Sequence, residues 1–190
     1  MAHFTTSDGL KLFYTDEGEG LPILCLAGLT RTTADFDYVT PHLSGNRLIK
    51  LDYRGRGQSD FDPDWRHYTL PVECRDIIEL LDHLELEKVA ILGTSRGGLN
   101  AMGLARGAKQ RLLGVALNDV GPVIDPKGMA LIADYIGRNP AAKTYEEAAA
   151  AMARAFPEFT DVPEGRWMEE ARKHYTQGPD GLQITYDKHL

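Results

Sequence analysis

The run Lys88-Val89-Ala90-Ile91-Leu92-Gly93-Thr94-Ser95-Arg96-Gly97-Gly98 restricts the fold of this chain more than any other stretch. Four aliphatic residues, enough for a short buried strand, lead straight into Gly-x-Ser-x-Gly, and helix-compatible residues from Leu99 to Ala105 follow at once. A strand that reverses into a helix over so few residues leaves no room for a Cβ where the two backbones come closest. That requirement explains glycine at positions 93 and 97. Ser95 then occupies the apex with its hydroxyl directed away from the sheet. The first amide of the helix, that of Arg96, is free to donate to an oxyanion. The spacing therefore predicts a nucleophilic serine at position 95. Two blander patterns compete with it. Gly93 and Gly98 share the glycine spacing of a phosphate-binding loop, but Leu99 and Asn100 stand where Lys and Ser/Thr are required. The other is a purely structural glycine turn, and the strand before it and helix after it favour chemistry instead.

On either side of this turn, strand and helix patterns alternate. Residues 3–16 read as a hairpin turning at Ser7-Asp8-Gly9, with Leu10, Leu12 and Tyr14 alternating with polar residues. Pro22 to Leu26 is a continuous apolar run, the mark of a strand buried on both faces. Asp35 to Leu43 is predicted as a helix and Arg47 to Asp52 as the next strand. Thr69 is placed as the cap of a helix carrying Pro71 in its first turn. Its apolar stripe is Ile77, Leu80, Leu81 and Leu84, with Glu73, Arg75, Asp76, Glu79, Asp82 and His83 assigned to the solvent side. Strand 88–93, helix 96–109 and strand 113–118 complete the region. The fold class is α/β, a mostly parallel sheet with helices on both faces, and chemistry in such sheets gathers at the carboxyl ends of the strands. Gly28, Asp52, Ser95 and Asp119 all fall there.

Beyond Asp119-Val120-Gly121-Pro122 the pattern turns helical. Met129, Ile132 and Ile136 mark one helix, Thr144 with Glu147 forms a capping box ahead of a second, and Pro163 to Tyr175 makes a third. The third carries Trp167, Met168, Ala171 and Tyr175 on one side. The organisation expected is a core over residues 1–122 and a helical cap over 123–190.

A chain of 190 residues suits one domain with a sizeable core. Its 21 Lys and Arg against 28 Asp and Glu give a net charge of −7, which argues against nucleic acid or an anionic membrane as a partner. The first residues carry no basic-then-apolar leader, and no stretch approaches the roughly 18 apolar residues of a membrane span, so a cytoplasmic location is expected. Cys25 and Cys74 read as small buried or half-buried hydrophobes, not as a disulfide framework. Nothing calls for a metal or organic cofactor. Asp60, Asp62 and Asp64 begin like a calcium loop, but Trp65 and Pro71 replace its glycine and its final glutamate, leaving a solvated acidic loop. Gly55-x-Gly57-x-x-Asp60 fails the dinucleotide fingerprint at its third glycine, and no His/Cys spacing suits zinc.

Leu26-Ala27-Gly28-Leu29 ends a buried strand, and its glycine lets the backbone turn so that the Leu29 amide faces the serine. With Arg96 it would make a two-donor oxyanion hole, in which losing one donor costs roughly 10²–10³ in rate; the alternative reading is an ordinary strand-ending turn. Four motifs then stand in order: this one, Asp52-Tyr53-Arg54-Gly55-Arg56-Gly57-Gln58-Ser59, the Ser95 turn, and Leu117 to Pro122. Together they resemble the α/β-hydrolase superfamily, in particular its capped, bacterial esterase-like members, over essentially the whole chain. The resemblance implies Ser95 as nucleophile, the Leu29 and Arg96 amides as oxyanion hole, and a small ester or acyl substrate. It departs at Ala27, where many members carry His.

Members of the superfamily place an acid and then a histidine after the serine. Here only His174 and His189 follow it. His174 reads as a solvated residue of a cap helix, and His189 as part of a poorly ordered terminus. Asp119 is a candidate acid, with a turn-capping role as its alternative. Six strands can be counted, fewer than the resemblance implies. The expectation is an amino-terminal portion of a longer protein, its acid and base supplied by later sequence or a second chain. An open sheet edge would then favour self-association. The alternatives are a non-catalytic fragment or hydrolase-like binding protein, and a carbon–carbon hydrolase or perhydrolase using the same serine.

Overall fold

The computed structural model describes the backbone of residues 1–190 and every side chain except those of Leu131 and Asp134. Strands β1 (Ala2–Thr5), β2 (Lys11–Glu17), β3 (Leu21–Leu26), β4 (Asn46–Leu51), β5 (Val89–Thr94) and β6 (Leu112–Asn118) form one sheet in the order β1-β2-β4-β3-β5-β6. The first hairpin and the β2–β4 pair are antiparallel; β4, β3, β5 and β6 run parallel. The turn between β1 and β2 is closed by the Gly9 amide on the Thr6 carbonyl, 2.9 Å, with Gly9 in the left-handed region at φ +92°.

Strand β3 lies between β4 and β5, and its alternate residues serve two cores. Leu24 and Leu26 join Ile77, Leu80 and Leu81 of α1 (Leu70–His83) and Ala101 and Leu104 of α2 (Arg96–Gly107). Cys25 and Ala27 face the other way, against Phe36, with Val39 and Leu92 packed alongside. Each fully buried aliphatic chain contributes about 1.5–3 kcal/mol, so α1 is held by its stripe and not by its caps. Thr69 has the extended backbone of a cap, but its side chain makes no capping bond.

The helix expected over 35–43 is instead two short 3-10 turns, Thr33–Phe36 and Thr40–Leu43. Pro41 explains the break: it lacks an amide proton, and its ring would clash with the carbonyl four residues earlier in a continuous helix. These turns nonetheless cover the second face of the sheet. Strand β6 forms one edge, with Leu113, Val115 and Leu117 exposed.

After β6 come α3 (Pro126–Tyr135), α4 (Tyr145–Ala155) and α5 (Arg166–His174). The Thr144 hydroxyl accepts from the Glu147 amide at 3.2 Å, and the Glu147 carboxylate reaches back to the amide of Lys143, 2.7 Å, one residue before the cap. Ala148, Ala171 and Leu182 form a small separate core. The chain leaves α5 in a hairpin, β7 (Tyr175–Gly178) with β8 (Gly181–Ile184), which is a two-stranded sheet separate from the main one. Pro179 and Asp180 supply its turn, and Gly181 its left-handed residue at φ +132°. No described helix is long and apolar enough to cross a membrane.

Candidate active site

Ser95 connects β5 to α2 with φ 50° and ψ −113°. Residues with a Cβ seldom adopt that conformation, at a cost of about 1–3 kcal/mol, and it persists only where surrounding contacts impose it. Those contacts run through its backbone. The Ser95 amide donates to the Asn118 carbonyl at 2.9 Å, and its carbonyl accepts from the amides of Gly98 and Leu99 at 2.9 and 3.1 Å. Three glycines make room for the turn. A Cβ on Gly97 would overlap the Leu26 carbonyl, one on Gly93 would lie 2.7 Å from the Gly97 carbonyl oxygen, and one on Gly98 would overlap Val120. Sequence reasoning found the first two and missed the third. A Cβ on Gly28 would stand 3.9 Å from that of Ser95, so the strand end carrying Leu29 does run beside the serine.

Beneath this turn lies a buried cluster of charges that the sequence did not foretell. Glu73, expected in solvent, is fully buried. Its Oε1 accepts from Arg56 Nη2 at 2.8 Å; its Oε2 accepts from Arg96 Nε at 2.8 Å and Asn100 Nδ2 at 3.0 Å. Arg56 is also fully buried, its guanidinium lying over the rings of Tyr53 and Tyr68 at 5.4 and 5.6 Å. Its Nε donates to the Leu29 carbonyl at 2.9 Å and its Nη1 to the Arg54 carbonyl at 2.6 Å. Burial works against the charge on Glu73, but Arg56, Arg96 and Asn100 outweigh it and hold the carboxyl below its usual range. Burial and the second cation, Arg96, lower the Arg56 pKa in turn.

A second buried cluster is centred on Arg54, which meets Asp76 through two bonds of 2.7 Å and Asp62 at 2.6 Å. Asp8 adds further contacts at 3.1 Å. Asp76 and Asp62 therefore leave solvent for the same reason as Glu73: a buried guanidinium neutralises them. The acidic loop expected to be solvated is so only at Asp60 and Asp64. Asp52 is buried as well; its Oδ1 accepts from the Thr33 amide at 2.6 Å and its Oδ2 from the Gln58 amide at 3.0 Å, pinning the loop.

The remaining expected groups lie elsewhere. Asp119 is exposed at the end of β6 with φ 54°. His174 is half-buried, contrary to its expected solvation. Its Nδ1 lies 2.6 Å from the Glu170 carbonyl, and burial, then Arg31, lowers its pKa. It lines a cavity of about 290 Å³ with Thr30, Tyr135, Tyr175 and Tyr186. His189 is held by Asp187 at 2.8 Å and stacks on Trp65. The same segment docks on the loop after β4: the Gly57 amide donates to the Thr185 carbonyl and the Asp187 amide to the Gly55 carbonyl, at 2.9 and 2.8 Å. Five of the six histidine rings have partners other than Ser95. A larger hollow of about 620 Å³ opens against Thr94 and Asn118, which flank the serine, with Phe36, Val39, Leu92 and Leu117 as its apolar lining.

These features have known counterparts. The profile of the family described as alpha/beta hydrolase fold matches residues 22–156. The chain belongs to that family. It is 38% identical over 173 residues to a 3-hydroxybutyrate-oligomer hydrolase of Cupriavidus necator, covering 88% of this chain and 59% of the relative. It is 31% identical over 179 residues to a non-heme chloroperoxidase of Streptomyces lividans, covering 87% of this chain and 59% of that protein. Among solved structures, an alpha/beta hydrolase from Novosphingobium aromaticivorans superposes with a TM-score of 0.90 at 34% identity, over 100% of this chain and 70% of the other. The chain thus spans 59% of the length of these two curated relatives.

Proposed function

We propose that this protein is a serine hydrolase of small esters or related acyl substrates, working through an acyl-enzyme on Ser95. The reading rests chiefly on the left-handed backbone of Ser95, a strain that the packing around Gly93, Gly97 and Gly98 sustains. The Ser95 hydroxyl attacks the substrate carbonyl as a histidine takes its proton, and the oxyanion rests on the Leu29 and Arg96 amides. The histidinium returns that proton to the leaving alcohol as the acyl–oxygen bond breaks. Water, deprotonated by the same histidine, then releases the acid. Five of the six histidine rings are engaged elsewhere and His42 is exposed with no bond to Ser95, so the base is assigned to a histidine outside these 190 residues or on a second chain. Residues 123–190 serve as a cap, and the hollow beside Thr94 and Asn118 takes the acyl group. The hydrolase name borne by the Cupriavidus necator relative supports this class.

The chloroperoxidase name of the Streptomyces lividans relative favours a second reading, in which hydrogen peroxide replaces water in deacylation and yields a peracid. A fluorophosphonate separates catalysis from mere binding. The intact protein is expected to gain one adduct, mapped by mass to Ser95 and absent from Ser95→Ala. Wild-type protein left unmodified, with the sequence or second chain that supplies the histidine present, overturns both readings. Peracid formation from acetate or an ester with peroxide, lost in Ser95→Ala, selects the second.

A further inference from the structure

The buried carboxylate of Glu73 is linked through side chains to both residues whose amides are proposed as the oxyanion hole. Through Arg56 it reaches the Leu29 carbonyl, and on its other oxygen it holds the Arg96 side chain, with Asn100 one helical turn further along α2 completing the shell. Leu29 lies in the loop three residues past β3 and Arg96 at the start of α2. Backbone packing, with Gly97 against the Leu26 carbonyl and Gly28 beside Ser95, sets the two segments side by side, and this set of side chains adds a tie between residue 29 and residue 96. Fixing the Leu29 carbonyl limits rotation about its Cα and so the direction of its amide. Anchoring the Arg96 side chain, which also donates to the Tyr68 carbonyl at 3.3 Å, does the same for the first residue of the helix.

We infer that Glu73 is a positioning residue for catalysis, joining Arg56 and Arg96 into a brace that keeps the two oxyanion-hole amides aimed at one point. This rests on the serine-hydrolase reading proposed above. The bonds are charge-assisted and shielded from water, which makes them stiff as well as strong. The brace also carries one more cation than carboxylate, leaving a net positive charge next to the serine turn, through the Arg96 side chain that follows Ser95. Arg54, only two residues away in sequence, makes no bond to residue 29 or 96, so a role in stability alone would not require this arrangement.

Two variants test the brace. Glu73→Gln keeps the size but leaves two guanidinium groups without a carboxylate. Arg56→Lys keeps the charge opposite Glu73 and removes the Nε–H that reaches Leu29, so it remains informative if the first variant does not fold. Each is titrated with fluorophosphonate and assayed on a p-nitrophenyl ester. The expected result is a fall in kcat per titrated serine of roughly 10- to 100-fold, as displacing a positioned donor produces, with KM little changed. Affinity for a boronic acid that mimics the tetrahedral intermediate should fall by the same factor. Full kcat per titrated serine and unchanged boronate affinity in Arg56→Lys, even with a lower Tm, would reduce the cluster to a structural ion pair and overturn the inference. A wild-type protein that, with its histidine supplied, neither labels at Ser95 nor turns over would remove the hydrolase reading itself.

Discussion

Arg54 and Arg56 stand two residues apart in one loop, both fully buried, and they answer to different partners. Arg54 meets three carboxylates, from Asp8, Asp62 and Asp76, with Arg75 also reaching Asp8 and Asp76. These tie the first hairpin, the loop after β4 and α1 to one another, away from Ser95. Arg56 has a single carboxylate, Glu73, shared with Arg96. One centre has more anions than cations; the other, beside the serine turn, has the reverse. Burying a charge costs several kcal/mol, and a fold meets that cost by pairing. Around Arg54 the pairing is generous and serves assembly. Around Arg56 it is sparse, with two guanidinium groups sharing one carboxylate.

The sharpest way to break this contrast is to remove Arg54. Arg54→Leu leaves Asp62 and Asp76 buried without their cation, and stability should fall by about 3–5 kcal/mol, read from urea denaturation. Turnover per fluorophosphonate-titrated serine should stay at the wild-type level. A loss of turnover per serine matching that of Arg56→Lys would erase the distinction between the two centres.

Much of the sheet, and the serine turn, could be read directly because they obey local rules. A buried strand, a glycine-spaced serine and a following helix lie within a dozen residues, and the glycines mark where backbones touch. The brace is not local: Glu73, Arg56 and Arg96 are far apart in sequence and meet only once β4, α1 and α2 pack. One signal for it was present and was misread. Positions 73, 76, 77, 80, 81 and 84 form a single helical stripe, and charge alone had placed Glu73 and Asp76 on the opposite side. Spacing was the better guide than polarity. Pro41 and the Pro179-Asp180-Gly181 turn were likewise visible, and each outranks the pattern around it.

A double-mutant cycle sharpens the Arg56 side of the comparison at a smaller energy. Glu73→Gln and Arg96→Gln each remove one end of the 2.8 Å bond. If the carboxylate holds Arg96, the two changes should couple by about 1–2 kcal/mol in urea denaturation, the range of a buried charge-assisted contact. Coupling near zero would mean that the Tyr68 carbonyl alone anchors Arg96, and one arm of the brace would be lost.

The gentlest probe is pH, and here the useful contrast is between Glu73 and Asp52. Both carboxylates are buried, but only Glu73 has guanidinium partners. Its carboxyl lies below the ordinary value: burial opposes ionisation, and Arg56, Arg96 and Asn100 outweigh it. The unfolded chain then takes up a proton more readily than the fold. The stability Glu73 contributes is complete above the unfolded value of about 4.3 and is lost as pH falls through the lower folded value. Asp52 has the opposite sign. Burial raises its carboxyl despite the Gln58 and Thr33 amides, so the fold takes up the proton first, and acidification relieves a cost that is present at neutral pH. The stability gap between wild type and Glu73→Gln should therefore narrow as pH drops below about 4.3, while wild type gains relative to Asp52→Asn. Each slope is limited to one proton, at most about 1.4 kcal/mol per pH unit. Parallel slopes in the two comparisons would show that burial, and not the guanidinium pairing, governs both acids.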